Sequence, residues 1–355
     1  MKRTLFVIGT RPEAIKMCPI ILELKKRGIR DALLLSTGQH KEMLDSALSD
    51  LSIKADHSLD IMKDGQTLGE LTGRLLFEVG KALDSIRPET VVVHGDTTTA
   101  FASALSAFYR GISVAHVEAG LRTGNINEPF PEEYNRRAIA LLASIHFAPN
   151  DIARRALLSE GVRKEDIFVT GNTVIDALEH TFDPSFVPPR ELSGQYVIIT
   201  VHRRENLKHL SEIFMGIKEG IESAGSMQAI YPMHKNPAVR AIAKTVFKRN
   251  CGVALCEPMS VKTFHNLLRK CSFVITDSGG VQEEAAYLGK PILLLRNCTE
   301  RKELLSYSGI KIAGTEKNAI IRAIKDLALE SQNNSCSPIG EAGASGLIAS
   351  ILENY

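Results

Sequence analysis

The sequence lacks tryptophan and contains only 6% aromatic residues, and it also lacks the motifs that define several common nucleotide-binding classes. Neither G-x-G-x-x-G nor G-x-x-x-x-G-K-S/T occurs in its 355 residues. The absence of the first pattern argues against a tightly held NAD, and the absence of the second argues against ATP hydrolysis. We therefore expect a protein that works without a bound cofactor.

Cysteine motifs are missing as well. No C-x-x-C pair occurs, and no H-E-x-x-H pattern or carboxylate cluster with standard ligand spacing is present. The six cysteines are Cys18, Cys251, Cys256, Cys271, Cys298 and Cys336. These patterns predict buried thiols of a cytosolic protein and no metal site.

The charge is nearly balanced, with 43 basic and 41 acidic residues and a net charge of +2. No large field of one sign is present, so we expect neither a nucleic-acid nor a membrane partner. Local basic clusters would instead suit a phosphorylated small molecule. The apolar run Leu5–Ile8 is too short for a signal peptide and no apolar stretch of 18 residues occurs, which predicts a soluble cytoplasmic protein.

Short apolar runs alternate with longer amphipathic stretches along the chain, which is the pattern of parallel sheets covered by helices. A first series predicts strands at Thr4–Ile8, Ala32–Ser36, Thr90–Val93, Ser113–Val117, Ile145–Ala148 and Ile167–Thr170. A second series predicts strands at Tyr196–Val201, Ala229–Met233, Val253–Cys256, Phe273–Thr276 and Ile292–Leu295.

These two series predict an α/β fold of two doubly wound, Rossmann-like domains with a cleft between them. A Pro-rich segment at 183–189 separates the series and favours a hinge between about 171 and 190. We assign residues 1–172 to an N-terminal domain that carries acidic site residues, and residues 173–344 to a C-terminal domain. A short apolar helix at about 345–355 could pack back on the first domain.

Three acidic residues follow predicted strands or lie close to them in the first series. Asp96 and Glu118 come just after buried runs, and Glu132 belongs to the segment Pro129–Glu133. Ligands of open α/β sheets bind beyond the carboxyl ends of the strands. We therefore expect these acids to converge in a crevice and to perform acid/base chemistry.

The turn after the first strand carries two cations. Arg11 and Lys16 lie where Thr4–Ile8 passes into a helix, with Pro12 at a plausible first helical position. A helix N-terminus with basic side chains attracts phosphate groups. The alternative is an ordinary helix start with two solvated cations.

A glycine-containing turn follows the strand Phe273–Thr276 in the second series. Ser278, Gly279 and Gly280 would let backbone N–H groups approach a diphosphate at a helix N-terminus. One turn further on, Glu284 could accept hydrogen bonds from a ribose diol. The alternative here is a helix cap with solvated carboxylates.

Other strand ends of the second series are basic. His202 follows Tyr196–Val201 and is itself followed by Arg203 and Arg204, which favours an anion contact over a merely structural histidine. His234 and Arg301 lie after two further predicted strands. A single basic residue at a strand end is weak evidence for an anion site. Because these residues share that position, together they favour one.

The motifs together resemble the non-hydrolysing UDP-N-acetylglucosamine 2-epimerases, in the right order over nearly the whole chain. They are GTRPEAIKM, GQHKEMLD, VVHGDTTTA, HVEAGLRTG, PFPEEYNR, TGNTVIDAL, HRREN, DSGGVQEE and TER. The resemblance implies a glycosyltransferase-B type fold and enzymes that often form homodimers. Departures from the family pattern are Val201, Tyr134 and Lys302.

The resemblance also implies roles for individual residues. The catalytic positions are Asp96, Glu118, Glu132, His202 and Lys16. The UDP-binding positions are Arg11, Lys16, His202, Phe264, Ser278, Gly279, Gly280, Glu284 and Arg301. A second, activating UDP-N-acetylglucosamine would contact Gln39, His40, Arg74, Arg203 and His234.

The chemistry of this substrate favours elimination. The C2 proton of the sugar is not next to a carbonyl, and without NAD no ketone can form beside it. A base that removes the proton while UDP leaves from C1 avoids a full carbanion. We therefore expect UDP and 2-acetamidoglucal as intermediates on the way to UDP-N-acetylmannosamine, a precursor of polysaccharides.

Several alternatives stay open at this point. A hydrolysing epimerase would release N-acetylmannosamine and UDP, and an epimerase for another UDP-2-acetamido sugar would use the same chemistry. A glycosyltransferase on the same fold would need an acceptor site. The sequence does not assign either face of the sugar to a particular acid.

Overall fold

The computed structural model describes residues 2–39, 41–63, 65–189, 192, 194–248, 251–296, 304, 307–330 and 340–355. The chain divides into two compact units. The first comprises Met1–His180 and Glu341–Tyr355, and the second comprises Thr181–Gly340. Each unit contains one parallel sheet with helices packed on it.

The first unit contains a 7-stranded parallel sheet in the order β3-β2-β1-β4-β5-β6-β7. Its strands are β1 (Thr4–Ile8), β2 (Ala32–Ser36), β3 (His57–Ser58), β4 (Thr90–His94), β5 (Ser113–Val117), β6 (Ile145–Ala148) and β7 (Ile167–Val169). The strand order reverses between β1 and β4. Such a switch point opens a crevice at the carboxyl ends of the strands, where ligands bind.

Helices connect these strands as the alternating sequence pattern predicts. They are α1 (Arg11–Lys26), α2 (Lys41–Asp50), α3 (Leu68–Ile86), α4 (Thr98–Phe108), α5 (Glu132–Leu142), α6 (Asp151–Ser159) and α7 (Thr173–His180). On one face of the sheet, Leu5 and Val7 of β1 and Val91 of β4 form a core with Leu75 and Val79 of α3. Burial of each such side chain contributes about 1.5–3 kcal/mol.

The second unit contains a 6-stranded parallel sheet in the order β10-β9-β8-β11-β12-β13. Its strands are β8 (Tyr196–Thr200), β9 (Gln228–Pro232), β10 (Val253–Cys256), β11 (Val274–Thr276), β12 (Ile292–Leu294) and β13 (Ile310–Ile312). Its helices are α8 (Leu210–Ser223), α9 (Pro237–Val246), α10 (Val261–Lys270), α11 (Gly279–Tyr287) and α12 (Lys317–Leu329). The switch point of this sheet lies between β8 and β11.

The C-terminal helix α13 (Ala344–Asn354) packs on α1 and α7 of the first unit. Arg27 donates hydrogen bonds to Ser350 and Glu353, and Asp176 accepts the N–H groups of Gly343 and Ser345. The sequence places the domain boundary at 172/173 and assigns residues up to 344 to the second domain. In the structure α7 packs on α1, so the units divide at 180/181 and 340/341.

Within the described part of the chain, no helix is both long enough and apolar enough to span a lipid bilayer.

Candidate active site

Two side chains from distant segments form an ion pair at the switch point of the first unit. Lys16, on α1, contacts the carboxylate of Glu118, which follows β5. His94, the last residue of β4, places its Nε2 atom 3.7 Å from Glu118 Oε2. The side chains of Lys16 and Glu118 are only 6% and 8% exposed, so this carboxylate lies in a poorly hydrated, positively charged surrounding.

The backbone turns sharply where β4 and β5 end. Glu118 adopts a left-handed conformation with φ 62°, and Gly95 adopts φ 63°. A left-handed backbone costs a residue other than glycine about 1–2 kcal/mol. The turn is held in part by His116, whose Nε2 lies 2.7 Å from the Gly95 carbonyl. Burial lowers the pKa of His116 to about 3, so the ring is neutral and donates this hydrogen bond.

Asp96, the next residue after Gly95, lies beside a buried arginine. A terminal nitrogen of the Arg136 guanidinium lies 2.5 Å from Asp96 Oδ2, and the side chains are 5% and 23% exposed. The side-chain amide of Asn135 donates to the Asp96 carbonyl at 2.8 Å. The Asp96 side chain is therefore oriented by α5 and is still partly accessible to solvent.

The two glutamates at the start of α5 differ in their surroundings. Glu133 is fully buried and accepts hydrogen bonds from the Thr123 N–H at 3.0 Å and from Arg136 at 3.2 Å. Burial alone would raise the pKa of Glu133, but these donors and the nearby cations hold it below its usual value. Glu132, the first residue of the helix, is half-buried. Glu133 is thus held by hydrogen bonds and ion pairs within the protein, whereas Glu132 is partly exposed at the start of the helix.

Glu13 is a buried acid that the sequence analysis did not select. Its Oε2 atom accepts the N–H groups of Gly9 and Thr10 at 2.9 and 2.7 Å, and its Oε1 atom accepts the Thr97 hydroxyl at 2.6 Å. Burial raises the pKa of this carboxyl, and the hydrogen bonds to it oppose the shift. Glu13 therefore joins the turn after β1 to the turn after β4, on either side of the switch point.

Three other predicted residues belong to the first unit. Arg11 is the first residue of α1 and is half-buried. Gln39 accepts a hydrogen bond from the Thr99 hydroxyl at 2.7 Å, and Arg74 on α3 donates to the Ile61 carbonyl at 3.2 Å. His40 lies outside the described residues.

In the second unit, one carboxylate joins the two strand ends at the switch point. Asp277 follows β11 and is completely buried. Its Oδ2 atom accepts the N–H groups of His202 and Arg203, at 3.1 and 2.9 Å, and the side-chain amide of Asn206 at 2.9 Å. The turn after β8 is therefore tied directly to the turn that begins α11.

The predicted anion turn is the N-terminus of α11. Ser278 is the N-cap residue, and its N–H donates to the Thr276 hydroxyl at 2.9 Å. The N–H groups of Gly279 and Gly280 belong to the first helical turn and have no acceptor within the helix. A Cβ atom at Gly280 would meet no described atom within 4 Å, so a ligand could approach this backbone closely.

Glu284 lies one turn further along α11 and is buried. Its Oε1 atom is 3.7 Å from Nε2 of His265 on α10, and within the described part of the chain its Oε2 atom has no hydrogen-bond partner. His265 is fixed by the Thr181 hydroxyl at 2.7 Å from Nδ1. The preceding residue, Phe264, is half-buried on the same helix.

His202 and His234 stack on each other in the second unit. Their ring centroids lie 5.1 Å apart with an angle of 7° between the planes. Desolvation lowers the pKa of His202, Asp277 opposes this shift, and Arg203 adds to it. His234 is exposed and accepts the Asn236 N–H at its Nδ1 atom, 3.1 Å away. Arg301 lies outside the described residues.

The structure thus forms two groups from the predicted residues. In the first unit, Lys16 and Glu118 are in contact. In the second, Asp277 connects His202 to the Ser278 turn. Within the described ranges, no group of three or more His, Cys, Asp or Glu residues could hold a metal ion.

Sequence reasoning missed several residues that shape these groups: Glu13, His94, Arg136 and Asp277. Each lies inside a motif that had been selected for a neighbouring residue. A weak signal existed for Arg136, because it follows Glu132 and Glu133 at the i+4 and i+3 positions of a helix. The others are recognisable only from the proximity of strands that are distant in sequence.

Comparison with known proteins decides the family. The family model described as UDP-N-acetylglucosamine 2-epimerase matches residues 22–353. The chain belongs to this epimerase family. The epimerase relatives include one from Bacillus subtilis (strain 168), 44% identical over 99% of this chain and 96% of that protein. Another, from Neisseria meningitidis, is 40% identical over 99% of both chains.

Solved structures of the epimerase family agree with the fold. One from Listeria monocytogenes superimposes with a TM-score of 0.94 at 42% identity and covers 99% of this chain and 95% of that chain. The Neisseria meningitidis enzyme bound to UDP-GlcNAc superimposes with a TM-score of 0.91 at 38% identity and covers 99% and 100%. The predicted membership of the UDP-N-acetylglucosamine 2-epimerases is confirmed, and so is the fold class of two Rossmann-like, glycosyltransferase-B type domains.

Proposed function

We propose that this chain interconverts UDP-N-acetylglucosamine and UDP-N-acetylmannosamine without hydrolysing either. The observation that carries the proposal is the buried cluster of Lys16, Glu118 and His94 beside the Asp96–Arg136 pair at one switch point. It combines a cation, which suits a diphosphate, with carboxylates, which suit proton transfer. Family membership supports the same activity.

The reaction we propose is an elimination followed by an addition. A carboxylate removes the C2 proton, the electrons of the C–H bond form the C1=C2 double bond, and the C1–O bond breaks so that UDP leaves. The products of this half-reaction are 2-acetamidoglucal and UDP. UDP then adds back to C1 while an acid delivers a proton to the opposite face of C2, which yields the epimer.

Three acids are available for the two proton transfers: Asp96, Glu118 and Glu132. Glu118 is held in position by its contact with Lys16. Asp96 is oriented by Arg136 and is 23% exposed, which allows it to exchange its proton with solvent between turnovers. Glu132 lies at the start of α5, in the same helix as Arg136.

Departure of UDP requires stabilisation of the developing negative charge. We assign this role to Arg11, Lys16 and His202, together with the N–H groups of Gly279 and Gly280. The support is that Arg11 begins α1, His202 follows β8 and Gly279 begins α11. Lys16 lies in the second turn of α1. Phe264, Glu284 and Arg301 would contact the nucleoside and its phosphates. An activating second nucleotide sugar would use Gln39, His40, Arg74, Arg203 and His234.

The decisive experiment incubates the purified protein with UDP-N-acetylglucosamine in D2O and follows the products by proton NMR. We expect UDP-N-acetylmannosamine with deuterium at C2, because the proton from solvent enters as UDP adds back. Free N-acetylmannosamine would instead show hydrolysis. No reaction in the absence of an acceptor would contradict the proposal and favour a transferase or a different 2-acetamido sugar.

A further inference from the structure

His202 lies next to a completely buried carboxylate that has no assigned role in the reaction. Asp277 Oδ1 is 3.7 Å from Nδ1 of His202, whereas the side chain of His202 is 36% exposed. The carboxylate therefore lies on the protein side of the ring. This geometry leaves the opposite nitrogen, Nε2, as the one that can face a ligand.

The backbone around His202 is fixed by the same carboxylate. Asp277 accepts the N–H groups of His202 and Arg203, and Asn206 donates one side-chain amide to both Asp277 and the Leu295 carbonyl, at 2.9 and 3.0 Å. The N–H of Asp277 itself donates to the Thr200 carbonyl at 3.1 Å. The turn after β8 is therefore held by hydrogen bonds to the Asp277 carboxylate.

We propose that Asp277 is a positioning residue for His202: it holds the neutral imidazole in the tautomer protonated at Nδ1, so that Nε2 is the nitrogen that exchanges a proton with the substrate diphosphate. The inference rests on the proposed function for the identity of that diphosphate. The tautomer itself is a property of the chain and can be measured without turnover. The pairing resembles, in its logic, a carboxylate that orients a catalytic histidine.

Asp277 also stabilises the protonated ring. An opposite charge within about 4–6 Å favours the charged form of a histidine. Among the described residues, Arg203, on the same turn, and His234, which stacks on it from the turn after β9, also face His202. Arg203 disfavours a positive charge on His202, and Asp277 opposes this effect.

The first test measures the tautomer in the full-length, unmodified chain with UDP bound. Nitrogen-15 NMR of the imidazole distinguishes a protonated Nδ1 from a protonated Nε2, and the His202→Asn variant identifies the signals. We expect neutral His202 to carry its proton on Nδ1. A proton on Nε2 would overturn the proposal, and this measurement needs no substitution at Asp277.

The second test compares Asp277→Asn with Asp176→Asn. The first keeps an oxygen that can accept from Arg203 and Asn206 but removes the charge. Asp176 also accepts backbone N–H groups, but it does so at the start of α13 and far along the chain from His202. We expect the titration midpoint of His202 to fall by about 1 pH unit or more in Asp277→Asn and to stay unchanged in Asp176→Asn. Equal midpoints in all three proteins would overturn the proposal.

Turnover gives a readout that a purely structural role would not change. If protonated His202 assists the departure of UDP, the alkaline limb of the kcat profile lies at its pKa, and Asp277→Asn moves that limb to lower pH. A structural defect would lower kcat equally at every pH, which would also contradict the proposal. A wild-type protein without epimerase activity would refute the proposed function, while the NMR tests of Asp277 would still be decided.

Discussion

Lys16 and Glu118 form a buried ion pair across the switch point of the first sheet, although 102 residues separate them in the sequence. Lys16 belongs to α1 and Glu118 follows β5, so the pair holds together two connections of the fold. With the side chains 6% and 8% exposed, neither charge is well hydrated when its partner is removed. The stability of this unit is therefore coupled to the chemistry of its site.

Glu118→Gln should lower both the free energy of unfolding and the rate of epimerisation. Removing one partner of a buried pair costs about 3–5 kcal/mol, because the remaining charge is left uncompensated. The double variant Glu118→Gln/Lys16→Met should regain much of the lost stability but should not regain turnover. Urea denaturation of the single and the double variant measures the two free energies of unfolding.

The matched control is Glu78→Gln, because Glu78 pairs with Lys81 at side-chain exposures of 37% and 59%. An exposed pair of this kind contributes about 0.2–1 kcal/mol at most. If Glu118→Gln were as mild as Glu78→Gln, the buried pair would have no special energetic weight.

Asp96→Asn should lower kcat by about 100-fold or more, since loss of a positioned acid or base commonly has this effect. The buried Arg136 keeps its second partner, Glu133, at 3.2 Å, so the fold and the affinity for UDP should change little. The matched control is Asp84→Asn, which removes another carboxylate paired with an arginine, Arg110, on the surface. Calorimetric UDP binding and turnover, measured on both variants, separate binding from chemistry. Normal turnover in Asp96→Asn would remove this residue from the mechanism.

Stability should decrease in acid partly because of His116. Its pKa falls from 6.5 in the unfolded chain to about 3 in the folded one, so below pH 6.5 the unfolded state binds more protons. This single group should contribute a loss of up to about 1.4 kcal/mol per pH unit across that window. The free energy of unfolding of the wild type and of His116→Gln, measured by denaturation at several pH values below 6.5, checks this prediction. The variant should show the shallower pH dependence, and parallel curves would contradict the assignment.

Gly9 and Gly73 should respond in opposite directions to alanine. A Cβ atom at Gly9 would overlap the Thr99 hydroxyl and lie 2.6 Å from the Thr37 hydroxyl, so the turn beside Arg11 would have to shift. Gly73 lies within α3 and a Cβ there would meet nothing within 4 Å. We expect Gly73→Ala to stabilise by about 0.5–1 kcal/mol and Gly9→Ala to destabilise. Thermal melts decide both, and stabilisation by Gly9→Ala would refute the packing argument.

The central strands were predictable because they are short, continuous apolar runs. β1, β2 and β8 occupy segments close to those expected, and both sheets have the expected parallel arrangement. The edge strands β3 and β13 were missed. His57–Ser58 is an exposed polar pair, and Ile310–Ile312 is interrupted by a lysine, so neither has the signal of a buried strand.

The candidate site was predictable where a polar residue directly follows an apolar run, as Asp96 and Glu118 do. Glu13 and Asp277 escaped notice because their importance depends on hydrogen-bond donors from another connection of the sheet. The sequence assigns α7 to the second domain, whereas the structure groups it with the first unit. Because α7 follows the last strand of the first sheet, its sequence position is compatible with either unit, and only its packing against α1 shows which unit it joins.

The return of α13 to α1 and α7 makes the second unit an insertion within the first. During synthesis, residues 181–340 are complete before the residues of α13 exist. The hydrogen bonds from Gly343 and Ser345 to Asp176 can therefore form only after the whole second unit has been synthesised. A fragment that ends at residue 180 would lack α13, and an isolated first unit would have to be built from two separate segments joined by a new linker.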